Sequence, residues 1–139
     1  MKTITVSVLV EAPLERVWEC WTLPEHITKW NHASDDWECP VAENALRVDG
    51  RFSARMQAKD GSEGFDFGGT YTTIDPLRTI SFVLYDHRPV TVTFVETDQG
   101  VLVTETFEME NENSEELQRA GWQVILNNFK LCAKAPTNI

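Results

Sequence analysis

Residues 113–134, reading NSEELQRAGWQVILNNFKLCAK, form the only segment of this chain long and periodic enough to be a full-length helix. Leu117, Gly121, Ile125, Phe129 and Cys132 recur at intervals of three and four, and Trp122 and Leu126 widen the stripe. Asn113 stands three residues ahead of Glu116, the arrangement of an N-cap and its reciprocal partner. Almost everything before that helix, residues 3–109, reads as strands and turns. A sheet supplied with one long amphipathic helix must lay it across its apolar face, because nothing else is available to cover that face.

Thr3–Val10 alternates strictly, with Ile4, Val6, Val8 and Val10 on one side, the pattern of a half-buried strand. Ala12-Pro13 then opens a helix with Leu14, Val17, Trp18 and Trp21 on one face, proline being tolerated in a first turn. Leu23-Pro24 ends it, and Pro24–Trp30 suits a second short helix. Residues 31–40 (NHASDDWECP) read as a loop, and residues 45–48 and 51–58 as strands paired around Asp49-Gly50. Residues 65–74 are a strand in which Gly68-Gly69 marks a bulge or sharp bend. Residues 78–85, 89–96 and 101–109 bring the total to about seven strands. This order excludes a doubly wound sheet, which needs a helix after nearly every strand, and short turns make neighbours antiparallel. The expected fold is α+β. A curved, mainly antiparallel sheet of about seven strands wraps around the long C-terminal helix, with two short helices after the first strand, in one domain spanning residues 1–139.

Charge narrows the partners. The net charge is −10, and the 12 Lys and Arg residues are scattered, so neither a nucleic acid nor an anionic membrane finds a basic face. No segment approaches the roughly 18 apolar residues of a membrane span. The opening MKTITVSVLVEAP alternates as a strand does, unlike a signal peptide, and a cytoplasmic location is expected. Three cysteines, Cys20, Cys39 and Cys132, without tight spacing read as reduced packing groups. The acidic stretch at residues 105–116 reads as a solvated turn that also supplies the negative first turn of the last helix.

The Ala-Pro-led helix after the first strand, WTLPEHITKW at residues 21–30, TYTTIDPLRTISF at residues 70–82 and QRAGWQVILNNF at residues 118–129 together resemble the START/Bet v 1-like (SRPBCC) superfamily. Within it the chain is most similar to the group related to the C-terminal domain of the activator of the Hsp90 ATPase. The resemblance runs the length of the chain and implies a helix-grip fold with a cavity between sheet and long helix. Members of the superfamily include lipid and sterol carriers, polyketide cyclases, hormone receptors and co-chaperone domains, so the fold alone does not choose a function.

On that fold, Phe52, Met56, Phe67, Tyr71, Phe82, Phe94, Trp122, Ile125 and Phe129 sit on segments that can face the enclosed space. The same residues would equally fill a solid core. Glu105 shares a parity with Val101, Val103 and Phe107, which the resemblance points inward. There it would be paired with Arg51, Arg55 or Arg88, protonated, or put to use as an acid–base, unless a bulge turns it to solvent. Trp30, Asn31, His32, Asp35, Asp36 and Trp37 form either a rim for a polar head group or an Asx-turned loop anchored by its tryptophans. No metal site or cofactor is expected, since Cys20, His26, His32 and Cys39 lack the spacing of structural zinc sites. No Gly-x-Ser-x-Gly motif is present, and no cysteine is paired with a histidine as a nucleophile would be. Gly121 inside the helix suggests close approach of a strand, of the Trp30 loop or of a ligand.

The reading that follows is a carrier of one small, largely apolar, lipid-like or aromatic molecule, acting as a monomer or homodimer. The alternatives are a cyclase or hydrolase that uses Glu105 or His32, and a module contacting an Hsp90-type chaperone.

Overall fold

The computed structural model describes residues 2–134. The chain runs through β1 (Thr3–Val10), α1 (Leu14–Thr22), α2 (Pro24–Trp30), β2 (Trp37–Glu38), β3 (Ala42–Asn44), β4 (Arg51–Ala58), β5 (Gly64–Asp75), β6 (Thr79–Leu84), β7 (Pro89–Thr97), β8 (Gly100–Glu108) and α3 (Glu115–Lys134). All strands join one antiparallel sheet in the order β1-β8-β7-β6-β5-β4-β2, with β3 also on β4. Sequential hairpins build β4 through β8, and β1 closes the far edge by pairing Thr3 with Glu108 through to Val10 with Val101. The sheet is curled, α3 lies in its concavity, and α1 and α2 seal one end, which is the helix-grip arrangement.

The periodicities explain the burial. Ile4, Val6, Val8 and Val10 all turn inward, as do Ile80, Phe82 and Leu84 on β6 and Val90, Val92 and Phe94 on β7. Two aromatic groupings divide this interior. At the end sealed by α1 and α2, Phe129 is fully buried between Trp21 and Trp30, at ring separations of 4.9 and 5.2 Å. Trp18 and Trp21 meet Phe94 edge-on there. Toward the other end, Phe52, Phe67, Tyr71 and Phe82 line the sheet beneath Trp122.

Several local expectations shift. The sheet has eight strands rather than about seven, because residues 37–38 of the anticipated loop pair with β4. The partner of β4 in the Asp49-Gly50 region is Ala42–Asn44, not residues 45–48, which belong to a wide loop. In that loop Asp49 adopts a φ of 69° and donates its N–H to the Tyr71 carbonyl, so the loop is stitched to β5. The register shift of β5 falls between Tyr71 and Thr73, not at Gly68-Gly69. The glycine pair instead permits close strand approach: a Cβ at Gly68 would strike the Phe52 carbonyl oxygen, and one at Gly69 the Val83 carbonyl oxygen.

In α3 the N-cap is Ser114, whose Oγ accepts from the Leu117 N–H at 3.1 Å, while Asn113 turns to the Glu110 carboxylate. Gln118, Leu126, Phe129 and Ala133 are buried and Trp122 is half-buried, so the expected stripe holds at Trp122, Leu126 and Phe129 but shifts at its start, where Leu117 is 60% exposed. Stacking of Trp122 on Phe107, at 3.8 Å and 11° between planes, sets that shift. Gly121 consequently has open space where a Cβ would sit, so neither a strand nor the Trp30 loop presses on it.

Candidate functional site

A cavity of about 380 Å³ lies between the concave sheet and α3. The strand register supplies its floor: Ala54 pairs with Phe67, Met56 with Phe65, and Tyr71 with Phe82, so these side chains share one face. Phe52 stands opposite Gly69, and its ring turns onto Tyr71 and Phe82 at 5.1 and 4.8 Å. Gln118, Trp122 and Ile125 form the roof from α3, and Trp21, Ile27, Trp30 and Asn31 close one end. The hollow exists because α3 is propped at two points. Trp122 rests flat on Phe107, and Phe129 wedges between two tryptophans, which holds the helix away from β4 and β5. Phe67 then meets Trp122 only edge-on, at 6.0 Å.

Glu105 projects into this apolar chamber from β8. Its strand neighbours are Val6 and Val92, and it is 6% exposed. β8 runs in unbroken register, so no bulge turns the side chain outward. Arg55 bonds Asp66, Arg88 bonds Asp86 and the Glu108 carbonyl, and Arg51 is exposed; among the described residues none forms an ion pair with Glu105. Burial without a cation pushes its carboxyl from 4.5 up to about 8. At neutral pH it is therefore largely a protonated acid, able to donate one hydrogen bond and accept others.

Other polar groups are tethered. Tyr71 donates its hydroxyl proton to Asn44 Oδ1, and the Asn44 amide donates to the Thr22 carbonyl at 2.6 Å, tying β5, β3 and α1 together. Burial holds the Tyr71 phenol well above its usual range. Gln118 accepts from the Glu110 N–H at 2.9 Å and donates to the carbonyls of Glu110 and Asn113, which fixes the stretch leading into α3. Glu43, Phe65 and Asn113 line the cavity and are exposed, which marks where it meets solvent. The ionisable lining comprises Glu43, Glu105 and Glu110 against Arg88 alone, and Arg88 is already occupied.

Of the residues singled out from sequence, Trp30, Asn31, Phe52, Met56, Phe67, Tyr71, Phe82, Glu105, Trp122 and Ile125 line the cavity. Phe94 and Phe129 do not: they belong to the solid cluster under α1 and α2. Trp37 also lies outside, near Phe65 at 6.0 Å. Of the supposed rim, only Trp30 and Asn31 reach the cavity. His32, Asp35 and Asp36 serve the loop, with the Asp36 carboxylate taking the Ser34 hydroxyl at 2.6 Å and its carbonyl the Lys59 N–H. Sequence reasoning missed Phe65 and Gln118. Phe65 shares the parity of Phe67 and Tyr71, and Gln118 lies four residues before Trp122, so period alone marks both.

A separate group of side chains stands on the helical side. One donor atom each of Cys20, His26 and Cys132 lies within 4.8 Å of the others. Sequence spacing had grouped Cys20 and His26 with His32 and Cys39. Cys39 instead sits in the β2–β3 turn with its thiol on the Val41 carbonyl, and Cys132 arrives from α3. Burial pushes the Cys20 thiol up to about 11. Among the described residues no helix is long and apolar enough to cross a membrane.

Known proteins share this fold. A solution structure of an AHSA1-like protein from Aeromonas hydrophila is 42% identical, covering 96% of this chain and 92% of its own, with a TM-score of 0.91. A protein from Cytophaga hutchinsonii is 44% identical over 92% of this chain and 89% of its own, with a TM-score of 0.82. A Chromobacterium violaceum protein at 23% identity shares the fold, with a TM-score of 0.87 over 98% of this chain and 100% of its own. Among curated proteins none matches the chain. The pattern of the family described as activator of Hsp90 ATPase homolog 1-like protein matches residues 11–134, and with these relatives it shows that the chain belongs to the AHSA1-like family of the Bet v 1-like superfamily.

Proposed function

We propose that this protein binds one small, neutral or cationic, mainly aromatic molecule carrying a single hydrogen-bonding group. The observation that carries this reading is the chamber of about 380 Å³ walled by aromatic rings, with one uncompensated carboxyl, Glu105, inside it. Apolar contact supplies affinity at roughly 25 cal/mol per Å² buried, and Glu105 supplies orientation. Anionic ligands are disfavoured: Glu43 and Glu110 face the space, an anion would oppose ionisation of the buried Glu105, and the one cation there is spent on Asp86. This narrows a lipid-like ligand to one without a free acid group.

A titration with 2-naphthol, and with naphthalene as the ring-only control, tests this. We expect saturable 1:1 binding of 2-naphthol, weakened about 10-fold in Glu105→Leu, and weaker naphthalene binding indifferent to that change. Native mass spectrometry of protein isolated from cells then identifies any resident molecule. Absence of saturable binding by either probe, together with no co-purifying molecule, overturns the reading.

The elevated Glu105 carboxyl also favours a second reading, a proton-transfer enzyme in which this residue is the general acid. A Glu105→Gln protein that keeps ligand affinity but loses turnover of the identified molecule selects it. The chaperone-contact reading makes a different demand, stimulation of an Hsp90-type ATPase by the added protein, and an ATPase assay decides it.

A further inference from the structure

We propose that Cys20, His26 and Cys132 form a binding site for a single thiophilic d¹⁰ cation of the Zn²⁺ class, clamping the three helices to one another. The three residues come from three elements, α1, α2 and α3, yet one donor atom of each falls within 4.8 Å of the other two. In a tetrahedral zinc site, Zn–S of about 2.3 Å and Zn–N of about 2.0 Å place donors roughly 3.5–3.8 Å apart, so only a small contraction is needed. Two sulfurs and an imidazole are a soft set that selects Zn²⁺ over Mg²⁺ or Ca²⁺.

Two further observations favour a ligand there. His26 Nδ1 is the only fully buried side-chain nitrogen or oxygen among the described residues that lacks a hydrogen-bond partner. An unpartnered buried ring nitrogen costs stability and calls for an explanation. The backbone around the site is also fixed before any ion arrives. The Trp30 indole donates to the Cys20 carbonyl at 2.8 Å, locking α2 to α1, and Arg16 donates to the carbonyls of Cys132 and Ala133, locking α1 to α3. Three protein donors leave a fourth coordination position for water or an outside ligand, and Cys132 and His26 are only part-buried, so an ion can reach them.

Co²⁺ under thiol-reducing conditions is the direct probe, followed by displacement with Zn²⁺. We expect one equivalent of Co²⁺ to give the near-ultraviolet thiolate charge-transfer band and the strong visible bands of a tetrahedral site. Cys132→Ser should abolish the charge-transfer band or weaken Zn²⁺ affinity by about 100-fold or more. His26→Phe gives an independent check: the metal-free protein should be at least as stable as the parent, while the rise in Tm on adding Zn²⁺ disappears. His32→Gln, whose side chain stands outside the cluster, should change neither. Absence of the band at one equivalent, or a Cys132→Ser protein that keeps both the full band and the parent Zn²⁺ affinity, overturns the proposal. So does a protein that forms a Cys20–Cys132 disulfide in air and binds no Co²⁺ after reduction.

Discussion

Two aromatic clusters occupy this interior, and they differ in one respect: one is solid and the other hollow. Under α1 and α2, Trp18, Trp21, Trp30, Phe94 and Phe129 interlock edge to face, and Phe129 is wholly shielded. Under the first half of α3, Phe52, Phe67, Tyr71, Phe82 and Trp122 are as aromatic, yet they surround space and a lone carboxyl. Composition does not separate the two. What separates them is whether a short helix supplies rings to fill the gap, as Trp18, Trp21 and Trp30 do on one side only. The solid half therefore contributes packing to the fold, and the hollow half is where we propose that a ligand binds.

The sharpest way to break this contrast is Phe129→Ala. It should destabilise by about 4 kcal/mol, as removal of a fully enclosed ring does, read by chemical denaturation. Next comes Glu105. Its carboxyl is raised from 4.5 to about 8 on folding, so between those values the unfolded chain loses a proton that the folded one keeps. Stability contributed by this group is complete below about pH 4.5 and is lost as pH rises toward 8. Measured against Glu105→Gln, the parent should weaken by a few kcal/mol over that window, and the two curves should run parallel above it. A gap that stays constant from pH 5 to about pH 8 would mean that the carboxyl is ionised throughout. Trp122→Ala should cost roughly 2 kcal/mol, less than Phe129→Ala because one face of the indole already borders the cavity, while weakening 2-naphthol binding at least about 10-fold. The smallest effect belongs outside both clusters: Gly121→Ala should stabilise by up to about 1 kcal/mol, since its Cβ meets nothing and the helix gains propensity. A Tm that falls instead would refute the open space at that position.

The comparison also shows what a sequence of this kind discloses. Period-2 runs such as Ile4-Val6-Val8-Val10 and the single long amphipathic helix suffice for the architecture, because each has one burial solution. Parity grouped Glu105 with Val101, Val103 and Phe107, and the family resemblance pointed that group inward, where burial raises the Glu105 carboxyl. Parity could not separate Phe94 and Phe129 from the cavity set. All share the inward face, and only the docking of α1 and α2 decides which rings are covered. Helix rotation was blurred for a related reason: Leu117 reads as core, but the Trp122–Phe107 stack, formed between residues of different elements, turns it outward. The convergence of Cys132 with Cys20 and His26 is equally invisible along the chain, since the two cysteines are brought together by tertiary structure alone.

The pairing of β1 with β8 has a consequence for biosynthesis. Val10 meets Val101 and Thr3 meets Glu108, so β1 finds its partner only after every intervening strand has been translated. At about 5–20 residues per second that interval is roughly 5–20 s. During it the apolar face of Ile4, Val6, Val8 and Val10 lacks its β8 partner. Closure of the sheet is thereby a late event, and slow folding of this chain is expected to trace to that one long-range seam.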